Sequence, residues 1–240
     1  MRMKTVKKFN LIRKCLILAV INFIFLLGIL SEEGIIIHRD FNFPVFRENF
    51  IRYHYPLWND ILSQPNIEHL VRLPIRLPFL FLIHLGIPVS IILKLMIYFA
   101  YLLSSISMYL YISEILQREK MREHFALLGS LIFAYSLPLL QFMGGISLVY
   151  SIGILPFILW LLHNYLKDRS SRWIILLSFS FLLALGHPFV FILNLGIFLV
   201  YPLLFIDSFI SYFKLILLTV TLFLLLFQWF LLPYLQILIS

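Results

Sequence analysis

Long apolar stretches separated by short polar ones run the whole length of this chain, and their spacing predicts its elements. A run such as 215–226 shows none of the polar–apolar alternation that a barrel strand keeps up over about ten residues. Several runs instead approach the roughly 20 residues that a helix needs to cross hydrocarbon. The expected fold is therefore all-α: a polytopic transmembrane helical bundle of seven spans, forming one domain over residues 1–240. The spans are expected near residues 11–30, 88–110, 125–141, 149–166, 173–185, 189–206 and 214–232. Residues 77–87 are apolar too, but Pro74, Pro78 and Pro88 cut that stretch into pieces too short to cross, so it is expected at the interface. Gly144-Gly145 and Gly186-His187-Pro188 read as turns between neighbouring spans. No repeat of 20 to 50 residues is visible.

Composition agrees with the bilayer as solvent. Hydrophobic residues make up 62% of the chain and charged residues 12%, against about 25% charged in ordinary soluble domains. With 25 Phe and 12 Tyr against 9 Gly, bulky packing is expected rather than continuous small-residue seams. The single Cys15, inside the first apolar run, excludes an internal disulfide and a cysteine-based zinc site, and reads as a small buried hydrophobe.

A formal net charge of +8 raises the question of nucleic acid, but the basic residues stand at the edges of the apolar runs, which excludes that partner and indicates membrane lipids. Arg2, Lys4, Lys7, Lys8, Arg13 and Lys14 flank the first span and predict a cytoplasmic N-terminus in the cell membrane. Because that span is long and no small-x-small cleavage site follows it, it reads as a retained anchor rather than a signal peptide. Arg118, Lys120 and Arg122 mark a second inner loop, and Lys167, Arg169 and Arg172 a third. Lys94, one turn inside the second span, is expected to snorkel outward without a partner.

Residues 31–87 form the long extracytoplasmic loop and interfacial region, where most non-basic polar groups gather. Asp40 follows the first span within the segment 38–44, and Asp60 closes an aromatic stretch that begins at Tyr53-His54-Tyr55. A carboxylate held at headgroup depth can act as a general base toward an acceptor hydroxyl, or can help hold a divalent cation, magnesium or manganese, beside a lipid phosphate. The competing reading pairs Asp40 and Asp60 with Arg39, Arg47 or Arg52, or makes them caps of loop helices. Arg72 and Arg76, four apart, share a helix face and suit a phosphate or diphosphate, or equally an anionic headgroup. His54 and the other histidines of the loop lack metal-ligand spacing. His187 sits in its turn either to bond a substrate oxygen or only to close the backbone.

At these residues the chain resembles the GT-C superfamily of membrane glycosyltransferases, with its YfhO-like and archaeal relatives. The resemblance rests on Asp40 just after the first span, on the stretch Tyr55-Pro56-Leu57-Trp58, on the Gly186-His187-Pro188 turn between two short spans, and on Leu232-Pro233-Tyr234-Leu235-Gln236. It implies a GT-C-like domain that transfers a sugar from a polyprenyl-phosphate donor on the extracytoplasmic side. It also implies Asp40 as base or cation ligand, with Asp60 in support. Members of this superfamily usually carry more spans and often a soluble C-terminal domain, so the resemblance implies either a glycosyltransferase of this kind or the N-terminal membrane part of one. Two other readings compete with the enzyme. One is a non-catalytic assembly partner of a second membrane subunit, with the outer loop as docking surface. The other is a transporter subunit, for which only Lys94 is a candidate charge near the bilayer midplane.

Overall fold

A computed structural model describes residues 2–31, 58–59, 64–65, 78–79, 81–117, 119–136, 146–185, 188–204 and 209–239. These are almost entirely helical: α1 (Arg2–Phe25), α2 (Leu27–Ser31), α3 (Val89–Ile115), α4 (Arg122–Ala134), α5 (Ile146–Gly153), α6 (Leu155–Asp168), α7 (Ser171–Ala184), α8 (Pro188–Val200) and α9 (Phe209–Ile239), with a 3₁₀ turn at Tyr201–Leu204. A two-residue antiparallel ladder joins β1 (Trp58–Asn59) to β2 (Gln64–Pro65). In hydrocarbon a backbone must satisfy its own amides and carbonyls, and a helix does so within one segment. Among the described residues, three helices are long and apolar enough to cross a membrane: Val89–Ile115, Leu148–Asp168 and Ile210–Gln228.

Local chemistry explains the boundaries. The break between α1 and α2 is nominal, because Leu26 donates to the Asn22 carbonyl and Leu30 to the Leu26 carbonyl, so the i→i−4 ladder runs on to Ser31. The break before α3 is real. Gly86 takes φ +86°, its amide bonds the Ile83 carbonyl, and the Ile87 amide reaches back to Leu82. This is the left-handed helix stop that glycine allows at no steric cost. The helical residues 81–84 therefore end here, and α3 starts afresh after Pro88. Between α5 and α6, Pro156 lies in the first turn of α6. Its missing amide interrupts the ladder, while Ile154 to Tyr150 and Ile158 to Ile154 carry it across. The α6–α7 turn is made by Arg169 at φ 55°, a left-handed residue whose amide bonds the Tyr165 carbonyl.

Helix α3 is the centre of the bundle, touched by α1, α4, α5 and α6, while α7 packs on α6 and α9. One buried cluster joins Leu26, Ile92, Met96 and Ala100 to Ala134 and Tyr150. A second joins Ile158 and Leu162 of α6 to Leu177, Phe198 and Leu215. The contact of α3 with α5 is close: a Cβ at Gly153 would stand 2.2 Å from Ser104 Oγ and 3.3 Å from Ser104 Cα. Only 11% of the apolar window of α9 is buried, against 50% for α3. Its outward Ile210, Phe213, Leu217 and Leu224 suit lipid rather than water.

The structure modifies the expected spans in detail. The segment expected at 125–141 begins as α4, whose 13 residues end at Ala134; residues 137–145 lie outside the described residues. Residues 171–184 and 190–203 form the expected pair of short apolar helices. The last helix outruns its expected limits at both ends, starting before Lys214 and continuing through Pro233. Lys94, expected to need no partner, is half-buried and engaged with other groups. Of the proline-cut stretch, residues 78–79 and 81–84 are helical, and the Gly86 stop separates them from α3.

Candidate functional site

Asp40, Asp60, His54, Arg72, Arg76 and His187 all lie outside the described residues. Only their flanks are defined: α2 ends at Ser31, β1 ends at Asn59, and His187 belongs to the chain between α7 and α8. Any cation held by Asp40 and Asp60 would therefore also be bound outside the described residues. Among the described residues no group of three His, Cys, Asp or Glu could hold a metal ion.

The described residues bring two polar constellations together. The first is a cavity of about 690 Å³ where Leu11 of α1, the end of α3 and the start of α4 meet. Tyr109, Glu114, Glu119, Lys120, Arg122 and Glu123 contribute to its wall. Two of its carboxylates are engaged by lysines. Lys14 of α1 pairs with Glu123 at 2.9 Å, and Lys167 at the end of α6 pairs with Glu114, which also accepts from Gln117. The hydrogen bond from Lys14 is the main reason that the Glu123 carboxyl is held below its ordinary value. Arg122 differs, because its Nε is buried with no hydrogen-bond partner among the described residues. Met121, at the N-cap, gives α4 no side-chain acceptor for its first amides.

The second constellation lies deeper. Asn22 is fully buried and donates its side-chain amide to the Leu18 carbonyl at 2.7 Å and to Ser105 Oγ at 2.8 Å. Tyr135 donates its hydroxyl to Asn22 Oδ1 at 2.8 Å, and stacks on Tyr101 with ring centres 5.3 Å apart. Asn22 is eight residues beyond Lys14, which at the rise of a helix is about 12 Å along α1 from the charged end. Polar atoms at such a depth must pair within the protein, and each bond here is closed. Tyr98 to the Ala19 carbonyl and Tyr150 to the Met96 carbonyl add two more links between elements. The cluster joins α1, α3 and α4, and its chemistry is structural.

Neither constellation was singled out from sequence, although a signal existed for the first. Glu114, Glu119 and Glu123 fall within ten residues of one short polar segment, an acidic density the outer loop does not exceed. Asn22 was detectable only as a lone amide within an apolar run.

Comparison of the chain with protein-family models, with curated proteins and with solved structures finds no match.

Proposed function

We propose that this chain is a seven-span membrane protein with a cytoplasmic N-terminus, and that it acts as a GT-C-like glycosyltransferase or as the N-terminal membrane part of one. It would transfer a sugar from a polyprenyl-phosphate donor at the extracytoplasmic face. Asp40 is assigned as the base that accepts the acceptor's hydroxyl proton or as a cation ligand. Asp60 supports it, while Arg72 and Arg76 take the donor phosphate and His54 and His187 take substrate oxygens.

The observation that carries this reading is the sorting of charge along α1. Lys14 is tied to Glu123, and Lys167 to Glu114, so the charged ends of α1, α3, α4 and α6 meet at one end of the bundle. From Lys14 the helix continues for seventeen residues to Ser31, about 25 Å at the rise of a helix. That is close to the thickness of the hydrocarbon core. A basic flank favours the cytoplasmic side, so this distance supports assigning the segment that begins after Ser31, with Asp40, to the outer face. The short helices α7 and α8, on either side of Gly186-His187 with Pro188 opening α8, agree with the pattern on which the resemblance rests.

The test is sugar transfer by the full-length protein in liposomes supplied with polyprenyl-phosphate hexoses. Asp40→Asn keeps the size of the side chain and removes its basicity, so the rate should fall at least about 100-fold. Transfer at the wild-type rate by Asp40→Asn would remove Asp40 from the chemistry. A wild-type protein inactive with every donor, yet purifying with a second membrane subunit, would replace the enzyme with an assembly partner.

A further inference from the structure

The cavity at the charged end of the bundle has the size and chemistry of a headgroup site. At about 690 Å³ it falls within the range of small-ligand pockets, roughly 300–1,000 Å³. Its two paired carboxylates present little free charge, because Lys14 neutralises Glu123 and Lys167 neutralises Glu114. What the wall offers a ligand is the Arg122 guanidinium and the exposed ammonium of Lys120, opposed by Glu119. The Arg122 Nε–H is withdrawn from water and meets no acceptor among the described residues. A charged donor left in that condition is costly, and an incoming oxyanion removes the cost.

The surroundings narrow the ligand further. Phe125, Leu128 and Ile132 follow Arg122 along α4 at helical spacing, and each is more than half exposed. Such a stripe faces one direction. It leads from the guanidinium away from the charged end, while Leu11 lines the cavity from α1 and Ile12 is exposed beside it. A soluble anion would use none of this surface, whereas a phospholipid would place its acyl chains there.

We propose that this cavity binds the phosphate group of a phospholipid from the adjoining leaflet. Arg122 and Lys120 take its oxygens, and its chains lie along Phe125, Leu128 and Ile132. The site is independent of Asp40 and of the glycosyltransferase reading. Inorganic phosphate presents the same oxygens without chains, and diacylglycerol presents the chains without the phosphate, so the two ligands separate the contributions.

The experiment uses the full chain in detergent, titrated with dioctanoyl phosphatidylglycerol, dioctanoylglycerol and inorganic phosphate under native mass spectrometry. Phosphatidylglycerol should bind saturably, with the other two at least about tenfold weaker. Arg122→Gln should weaken the lipid about tenfold, the scale of one charge-assisted hydrogen bond. Arg169→Gln, on the α6–α7 turn, should leave binding unchanged. Lys120→Gln alters an exposed side chain and should weaken binding several-fold, so the test survives a failure of Arg122→Gln to fold. Equal losses in Arg122→Gln and Arg169→Gln would reduce the effect to general surface attraction and overturn the site. Unchanged binding in Lys120→Gln and in a folded Arg122→Gln would overturn it too. Phosphate binding as tight as the lipid's would overturn the assignment to phospholipid.

Discussion

Tyr135 and Asn22 are 113 positions apart in sequence, and the tyrosine hydroxyl donates to the asparagine oxygen at 2.8 Å inside the bundle. Through Ser105 the same asparagine reaches α3, so a single side chain links three helices. Hydrogen bonds between membrane helices are worth about 0.6 kcal/mol on average and up to about 1.7. Asn22→Leu removes two of them and leaves the Tyr135 hydroxyl buried without an acceptor, so a loss of about 1–3 kcal/mol is expected. Tyr135→Phe should cost less, about 0.5–1.5 kcal/mol. Ser105→Ala should cost least, because Asn22 keeps its bond to Leu18. Unfolding in increasing dodecyl sulfate fraction measures all three, and an Asn22→Leu protein as stable as wild type would deny the link a role.

The approach of α3 to α5 gives a second expectation. A methyl group at Gly153 would collide with Ser104, and one of the atoms it meets is backbone, so rotation of the serine alone cannot relieve the overlap. Gly153→Ala is expected to destabilise by about 1–3 kcal/mol through overpacking. Ser104→Gly on the same background should recover part of that loss, a coupling that a double-mutant cycle resolves. Gly196→Ala is the control: its added methyl meets nothing within 4 Å, and in the middle of α8 it should be neutral or slightly stabilising. Equal effects of the two alanines would contradict the close crossing.

The Lys14–Glu123 pair makes stability depend on pH in a defined direction. Bonding to Lys14 lowers the folded-state value of Glu123 from its ordinary 4.5. The stabilisation is therefore complete above the ordinary value and is lost as pH falls through the lowered one. Glu123 is half exposed, so solvent limits the effect to about 0.5 kcal/mol. Wild type should exceed Glu123→Gln by that amount at neutral pH and match it in strong acid. A difference that grew on acidification would mean that the carboxyl is stabilised in its protonated form.

How much of this was legible in sequence follows from the physics of each feature. The helices were, because an apolar run without period-two alternation has no other stable form in lipid. The stop before α3 is legible in Pro78 and Pro88, whereas a lone glycine in an apolar run does not by itself mark the turn that Gly86 makes. Helix ends inside apolar runs were legible only in part: Pro138, four residues past Ala134, is a stop signal that the span expected at 125–141 runs through, whereas Pro233 did not end α9. The cavity depends on glutamates that pair with lysines 53 and 109 positions away, and spacing along the chain carries no information about such partners. The residues singled out for chemistry, Asp40 and Asp60 foremost, lie outside the described residues, so their reading still rests on the pattern around them.

The proposed arrangement of seven spans with an inner N-terminus makes a prediction that labelling can decide. The ion pairs bring the α3–α4 and α6–α7 connections to the same end of the bundle as Lys14. Both connections therefore share a compartment, and the basic residues they carry favour the cytoplasmic one. The chain's one cysteine makes the background simple: with Cys15→Ala, single cysteines can be introduced at Asn49, Lys120 and Ser170. A membrane-impermeant maleimide added to intact cells should label Asn49→Cys, and should reach Lys120→Cys and Ser170→Cys only after the membrane is opened. The reverse pattern at all three sites would keep the bundle and invert its orientation, moving Asp40 to the cytoplasm and removing the outer-face reading. Labelling of Lys120→Cys and Ser170→Cys from opposite sides would be more damaging. It would mean that the segment from α4 through α6 crosses once rather than twice, and the pairing of α4 as an outward span with Leu148–Asp168 as its return would fail.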